Sequence, residues 1–313
     1  MEIIFLGTGA AWGLPEHGCF CRACQHLRSI DQSRTRTSLW LAGPAQVLID
    51  PGPDLRAQII RESLPPPDAV LITHEHGDHY LGLDELLCFR RNLPREKWRP
   101  LPVYASQEAW PQIERRFDYL LGSLLEKRLA IAGQPLSGEP FGPSFTCRPV
   151  KTIHGATAPG AVGYVFEVTH QGRMLRLGYT SDMTGPADPD AFAGLDLLVC
   201  QCHFFNEPAF NRPSHLSLQR ALPLLKRWRP GQVCFVHLSC QDFLPGDEPA
   251  NQMLKKLAPK EPMRDPQGRP YPVPLDQASW QGAVERVFAD RGLPIPARVA
   301  FDGLRMKVGG PPS

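Results

Sequence analysis

Short apolar runs of strand length, alternating with stretches of helical periodicity along the whole chain, predict a layered α/β fold with sheets inside and helices packed outside. The interleaving is the first observation behind this reading. The second is composition: hydrophobic residues at 42% and charged residues at 21% describe a globular chain with a sizeable core. The third is that no repeat, low-complexity run or composition break divides the 313 residues, so the chain reads as a single domain spanning 1–313.

Taken in order, the predicted strands are Ile3–Leu6, Ser38–Leu41, Val47–Ile49, Ala69–Thr73, Pro102–Tyr104, Gly163–Val168, Met174–Tyr179, Leu197–Cys200 and Val233–His237. The predicted helices are Leu55–Ser63, Gly82–Arg91, Gln107–Leu125, Ser217–Trp228, Ala250–Leu257 and Trp280–Arg291. Proline makes up 34 residues and is frequent from Leu244 to Pro274, which reads as a surface insertion within 243–297 and not as a second domain. A lid, a specificity loop and a homodimer contact are the open roles for that insertion.

The start, MEIIFLGTGAAWG, is apolar only briefly and lacks a basic leader region, so it reads as a strand and turn rather than a signal peptide. No run approaches the roughly 20 apolar residues of a membrane helix. A cytoplasmic location and no membrane partner are therefore expected. There disulfides are uncommon, and nine cysteines point to metal or buried-thiol roles. A formal net charge of +2 gives no surplus for holding a long polyanion, so nucleic acid is not the expected partner.

The stretch DAVLITHEHGDHYLGL, Asp68 to Leu83, carries the strongest chemical signal. A buried strand ends where His74 begins, and H-x-H-x-D-H then supplies His74, His76, Asp78 and His79. His74 and His76 project to one side of an extended segment, and the turn at Gly77 brings Asp78 and His79 back round. Two pairs of ligands facing one small volume suit two adjacent ions better than one. Further candidates stand at strand ends: His154 in TIHGATAPG, Asp182 in YTSDMTG, whose two oxygens suit a bridging role, and His237 in QVCFVHLSC.

A second cluster lies in HGCFCRAC, where Cys19, Cys21 and Cys24 follow the spacing C-x-C-x2-C. A structural zinc is tetrahedral, so a fourth Cys or His is needed. His17, His26, Cys88, Cys147, Cys200, Cys202, Cys234 and Cys240 are the candidates. If the first strand and Val233–Val236 finish at the same end of the fold, Cys240 lies beside the cysteine loop. Cys234 has the opposite side-chain parity and reads as core.

The order T-H-E-H-G-D-H, His154, S-D with Asp182, and V-H with His237 resembles the metallo-β-lactamase superfamily, whose fold is an αβ/βα four-layer sandwich. The resemblance covers Met1 to His237 and resumes at RVAFDGLRM, which is similar to a closing strand of the superfamily. It implies one ion held by His74, His76 and His154, a second by Asp78, His79 and His237, and Asp182 bridging them. It also implies that Asp50 of VLIDPGPD supports the ligands by accepting hydrogen bonds. Within the superfamily the chain resembles the PhnP-like phosphoribosyl cyclic phosphodiesterases, through Gly7-Thr8-Gly9, Gly13 and Pro15, and the three cysteines. The Cys-rich start is also similar to that of the PqqB cofactor-biosynthesis proteins, which as a group lack the intact ligand set.

By the PhnP-like resemblance His215 is a phosphate contact or general acid, although Ser214 stands where that pattern has Asn. Cys240 stands where the pattern has the histidine that completes the structural zinc. The implied cofactors are two divalent ions, zinc or manganese, in the active site and one structural zinc. A hydroxide held by both ions would be the nucleophile, since one zinc already lowers the pKa of water to about 7. Two ions, Asp78, Asp182 and that hydroxide leave the site near one positive charge, which fits a small phosphodiester better than a dianion. His215 would then protonate the leaving alkoxide. The competing functions are a PqqB-like biosynthetic protein and an RNase Z-like tRNA-processing nuclease; against the latter, Leu125–Thr146 is short and not strongly basic.

Overall fold

The computed structural model describes residues 1–170, 172–209, 214–247 and 258–308. In chain order its elements are β1 Glu2–Gly7, α1 Arg22–Ser29, β2 Ser38–Ala42, β3 Gln46–Ile49, α2 Leu55–Glu62, β4 Ala69–Leu71, α3 Gly77–Tyr80, α4 Leu87–Asn92, β5 Leu101–Ala105, α5 Trp110–Phe117, β6 Leu125–Leu129 and β7 Phe145–Ile153. They continue with β8 Val162–His170, β9 Arg173–Tyr179, β10 Gly185–Pro186, β11 Leu197–Gln201, α6 Leu218–Trp228, β12 Val233–Val236, α7 Gln277–Asp290, β13 Ala297–Val299 and β14 Arg305–Lys307. The predicted helix Ala250–Leu257 lies outside the described residues.

Among the described residues the strands form two sheets, ordered β14-β1-β2-β3-β4-β5-β6 and β10-β7-β8-β9-β11-β12-β13. Strand parity assigns each side chain to a layer. From β1, Ile3 and Phe5 enter the core between the sheets, whereas Ile4 and Leu6 face the helices outside the first sheet. From β12, Cys234 and Val236 enter the same central core, whereas Val233 and Phe235 face α6 and α7. Cys234 is thus a core thiol, as its parity required. Three apolar layers separated by two sheets make the expected αβ/βα four-layer sandwich.

Several predicted elements are reshaped. Of the helix predicted over Gln107–Leu125 only Trp110–Phe117 is α-helical; a 3-10 turn follows over Asp118–Leu120, and at Gly122, with φ +72°, the chain turns into β6. Its later leucines stay in the outer core, which is why the periodicity ran on. The closing stretch RVAFDGLRM is not one strand but two: β13 pairs with β12 in the second sheet and β14 with β1 in the first. Gly303, at φ +88°, makes the crossing. Strand β7 escaped the sequence reading because Pro149 interrupts it; the proline is tolerated because β10 pairs only with Thr152 and Ile153 on that side. Within 243–297, α7 buries Trp280, Val284, Val287 and Phe288 against the second sheet, so this part of the segment builds the outer helical layer.

Candidate metal centre

The candidate ligating side chains are delivered by strand ends. Strand β4 leads into His74 and His76, the short α3 carries Asp78 and His79, and β7 runs into His154. Asp182 follows β9 and His237 follows β12. Three non-glycine residues adopt the left-handed backbone here: Asp50 (φ 55°), Ser181 (φ 54°) and His237 (φ 64°). Such strained conformations persist where the surroundings over-determine them, and they cluster at functional sites. Gly52 allows the loop after β3 to pack under α3; a Cβ there would stand 2.2 Å from the Asp78 carbonyl oxygen.

Outer hydrogen bonds fix which nitrogen of each ring faces inward. The Thr73 hydroxyl donates to Asp50 at 2.9 Å and accepts from His74 Nδ1 at 3.0 Å, which leaves the Nε2 lone pair of His74 pointing into the site. His154 Nδ1 donates to the Ser214 carbonyl, which leaves its Nε2. His76 Nδ1 then stands 3.1 Å from both inward nitrogens. Lone pairs converging at this spacing repel unless a cation sits among them.

The second group is built alike. His79 donates from Nδ1 to the fully buried Asp50 carboxylate at 2.9 Å, and Thr73 N and Tyr179 Oη donate to the same carboxylate. Its Nε2, like that of His237, is buried without a hydrogen-bond partner. Asp78 Oδ2 is 3.2 Å and Asp182 Oδ2 3.5 Å from His79 Nε2. Asp182 Oδ2 also lies 3.1 Å from His237 Nε2 and 3.8 Å from His154 Nε2, so it stands between the two groups. Ligating atoms of His74, His76 and His154 lie within 4.8 Å of one another, as do those of Asp78, His79, Asp182 and His237. Inward lone pairs and orphaned buried nitrogens fit divalent cations.

The electrostatics divide the centre. Burial, with His79 and His154 nearby, holds His74 well below the ordinary imidazole pKa, and burial likewise lowers His76 and His154. Burial also depresses His79, but Asp78, Asp50 and Asp182 outweigh it and raise the group well above its ordinary value. At His237, burial is outweighed mainly by Asp182, and the pKa reaches about 9. Burial works against ionised Asp182, yet His237 and His79 hold it well below the usual carboxylate range.

His215 lies beside this centre, its Nδ1 3.7 Å from Asp182 Oδ2. Its ring stacks on that of His203, with centroids 4.1 Å apart and planes at 6°. The sequence reading missed His203. The signal was present, because β11 delivers it to the strand end as β12 delivers His237. Buried His203 donates from Nε2 to Gln241 Oε1 at 3.2 Å, and its Nδ1 lies 3.3 Å from His237 Nδ1. Burial and then His237 lower its pKa to about 3, so it is neutral at physiological pH. His203 and His215 line a cleft of about 90 Å³ together with Trp12, whose side chain is 66% exposed.

The cysteine cluster closes against the same cleft. Backbone bonds from Ala10 N to Leu238 O (2.9 Å) and from Leu238 N to Thr8 O (3.1 Å) zip the end of β1 to the end of β12. That juxtaposition brings Cys240 to the loop: Cys19, Cys21, Cys24 and Cys240 are all buried, with sulfurs within 4.8 Å of one another. Cys19 Sγ and Cys240 Sγ are 4.0 Å apart. Cys21 caps α1 by accepting from Cys24 N. The neighbouring Cys21 thiol, with burial, pushes Cys24 up to about 12. Cys21 and Cys24 push Cys240 up as well.

Residues 45–238 match the family described as "Beta-lactamase superfamily domain". An octanoyltransferase of Porphyromonas gingivalis is 31% identical over 253 residues, which cover 76% of this chain and 46% of that protein. The chain spans about half the length of the first curated relatives it matches. Among solved structures, a diphosphatase from the PhnP family superposes with a TM-score of 0.68 at 23% identity, covering 98% of this chain and 97% of that one. Zn(2+)-bound PqqB from Methylobacterium extorquens superposes with a TM-score of 0.69 at 19% identity, covering 98% and 100%. At these identities the two structures share the fold.

Proposed function

The chain belongs to the β-lactamase superfamily, and from that premise we propose that it is a metal-dependent phosphodiesterase acting on a small phosphodiester, cyclic esters included. The carrying observation is the convergence of inward lone pairs from His74, His76 and His154 beside orphaned Nε2 atoms of His79 and His237, with Asp182 between the groups. His74, His76 and His154 would hold one divalent ion, Asp78, His79 and His237 the other, and Asp182 both. The ions would supply Lewis acidity and a lowered pKa for water.

The chain's own residues set the charge and the orientation. Asp78 and Asp182, with a hydroxide, place three negative charges against two divalent ions, leaving a surplus of one positive charge that favours a singly charged phosphodiester over a neutral ester. Asp50 keeps His79 in the ligating tautomer. His215 presents its ring to the substrate, and Trp12 offers an apolar wall across the cleft. We propose that Cys19, Cys21, Cys24 and Cys240 hold a zinc with no position open to water, which fixes the loop carrying Trp12. This gives about three metal equivalents per chain.

The test is a substrate panel on metal-loaded protein: bis-p-nitrophenyl phosphate, a cyclic ribose phosphate, a pyrophosphate-linked dinucleotide, a lactone, a tRNA precursor and an octanoyl thioester. The two acyl substrates and the anhydride cover chemistries suggested by the similar octanoyltransferase and diphosphatase. Turnover confined to the two small diesters, and lost in His76→Ala and Asp182→Ala, supports the proposal. Full activity in either variant sinks it.

A further inference from the structure

Gln201, buried at the end of β11, has a carboxamide that touches two loops of the centre. Its Oε1 accepts from Met183 N at 2.9 Å and from Leu216 N at 3.0 Å. One donor follows Asp182 in the chain and the other follows His215. A backbone N–H can only donate, so exchanging the amide oxygen and nitrogen would set three donors against one another. The carboxamide is thereby oriented, and its Nε2 faces His215 Nδ1 at 2.9 Å.

An amide nitrogen only donates, so the His215 nitrogen opposite it must accept. Asp182 Oδ2, at 3.7 Å, is beyond hydrogen-bond reach of that nitrogen. Gln201 Nε2 also lies 3.3 Å from His237 Nδ1. A ligating His237 bonds through Nε2, carries its proton on Nδ1 and donates it to His203 Nδ1, which is equally near at 3.3 Å. The Gln201 donor is then left to His215.

We propose that Gln201 is a positioning residue that holds His215 as a neutral imidazole with its hydrogen on Nε2. His215 thus meets the substrate as a hydrogen-bond donor to an anionic oxygen and does not protonate the leaving group. A ring acting as the acid would start as imidazolium, with a proton on Nδ1 pointing at the Gln201 N–H. A neutral ring that gave up its Nε2 proton would become imidazolate. Donation without transfer avoids both, and a neutral imidazole can polarise an oxygen in this way. The inference decides between the two roles that the sequence left to His215. It rests on the phosphodiester reading only for the identity of the oxygen.

The tautomer is read by long-range 15N–1H correlation on uniformly 15N-labelled, zinc-loaded protein at pH 7, with the His215 ring assigned by its loss in His215→Asn. The expected wild-type pattern is protonated Nε2 and bare Nδ1. Gln201→Glu keeps an oxygen for the Met183 and Leu216 N–H groups but sets a carboxylate oxygen against His215, so Nδ1 should become protonated. A proton on wild-type Nδ1, or a bare Nδ1 in Gln201→Glu, overturns the proposal; the wild-type spectrum decides alone if the variant does not fold.

Kinetics add a second readout. Gln201→Leu should lower kcat/KM about tenfold, by the same factor for a p-nitrophenyl diester and an alkyl diester. A loss confined to the alkyl diester, whose leaving group needs a proton, makes His215 an acid and also overturns the proposal. If neither diester is hydrolysed while the Nε2–H tautomer is observed, the phosphodiester reading fails and the positioning role of Gln201 stands.

Discussion

The histidine–aspartate centre and the cysteine cluster share the wall of one cleft, where Cys240 stands next to Gln241, His203 and His215, yet they are built on opposite plans. In the first, the ligands depend on other polar groups: Asp50, Thr73 and the Ser214 carbonyl fix the rings from outside. Each ring is aimed before any ion arrives, and the centre opens toward solvent at His76, Asp78 and His215. In the second, the four sulfurs are buried among apolar residues of the core and face one another. The first arrangement suits chemistry, because hydrogen bonds hold the geometry while a coordination position stays open; the second suits a staple, because the ligands fill it.

The comparison breaks first at the centre. Asp182→Ala removes the carboxylate between both ligand groups and should cut diester hydrolysis by about a thousandfold. Metal analysis should show loss of active-site ions and retention of the thiolate-bound zinc. Loss of all metal together would mean that the two clusters are one folding unit. Next comes Cys240→Ser, expected to release the structural zinc and lower Tm by about 5 °C or more, with ligand-centre ions still bound. Cys240→His should hold the zinc, since three cysteines and a histidine also form a tetrahedral site.

A smaller effect is expected from Asp50→Asn, which keeps the volume but weakens the acceptor for His79 Nδ1. Affinity for the active-site metal should fall about 10- to 100-fold by competition with a chelator, and the cysteine site should be indifferent. The smallest effect concerns pH. In metal-free protein the pKa of His237 stands at about 9, above its ordinary 6.5, because Asp182 overcomes burial. The stabilisation this brings is complete below pH 6.5 and is lost as pH rises through about 9. Thermal melts of the chelated protein should therefore show Tm declining across that interval, and zinc-loaded protein should not. A Tm that rose there would reverse the assigned sign.

Much of the centre was legible because its signals are local. H-x-H-x-D-H places four candidate ligands within six residues, and strand parity sorts Cys234 into the core from sequence alone. His203 was overlooked because it has no such motif; its place just after β11 was the one sequence signal, and stacking on His215 at 4.1 Å gives that place its meaning. Gln201 was invisible for the same reason, since an amide at a strand end becomes specific only when two backbone donors from distant loops clamp it.

Sequence by itself determined the layered fold, the ligand types and the C-x-C-x2-C loop, because each follows from spacing within a few residues. Tertiary structure alone decided that β13 and β14 close different sheets and that His215 faces an amide donor, and it brought about the expected meeting of Cys240 with Cys19 across 221 residues. These depend on long-range backbone pairing, above all the bonds joining Thr8, Ala10 and Leu238. A one-dimensional pattern carries no information on which strand ends meet until the sheets have packed.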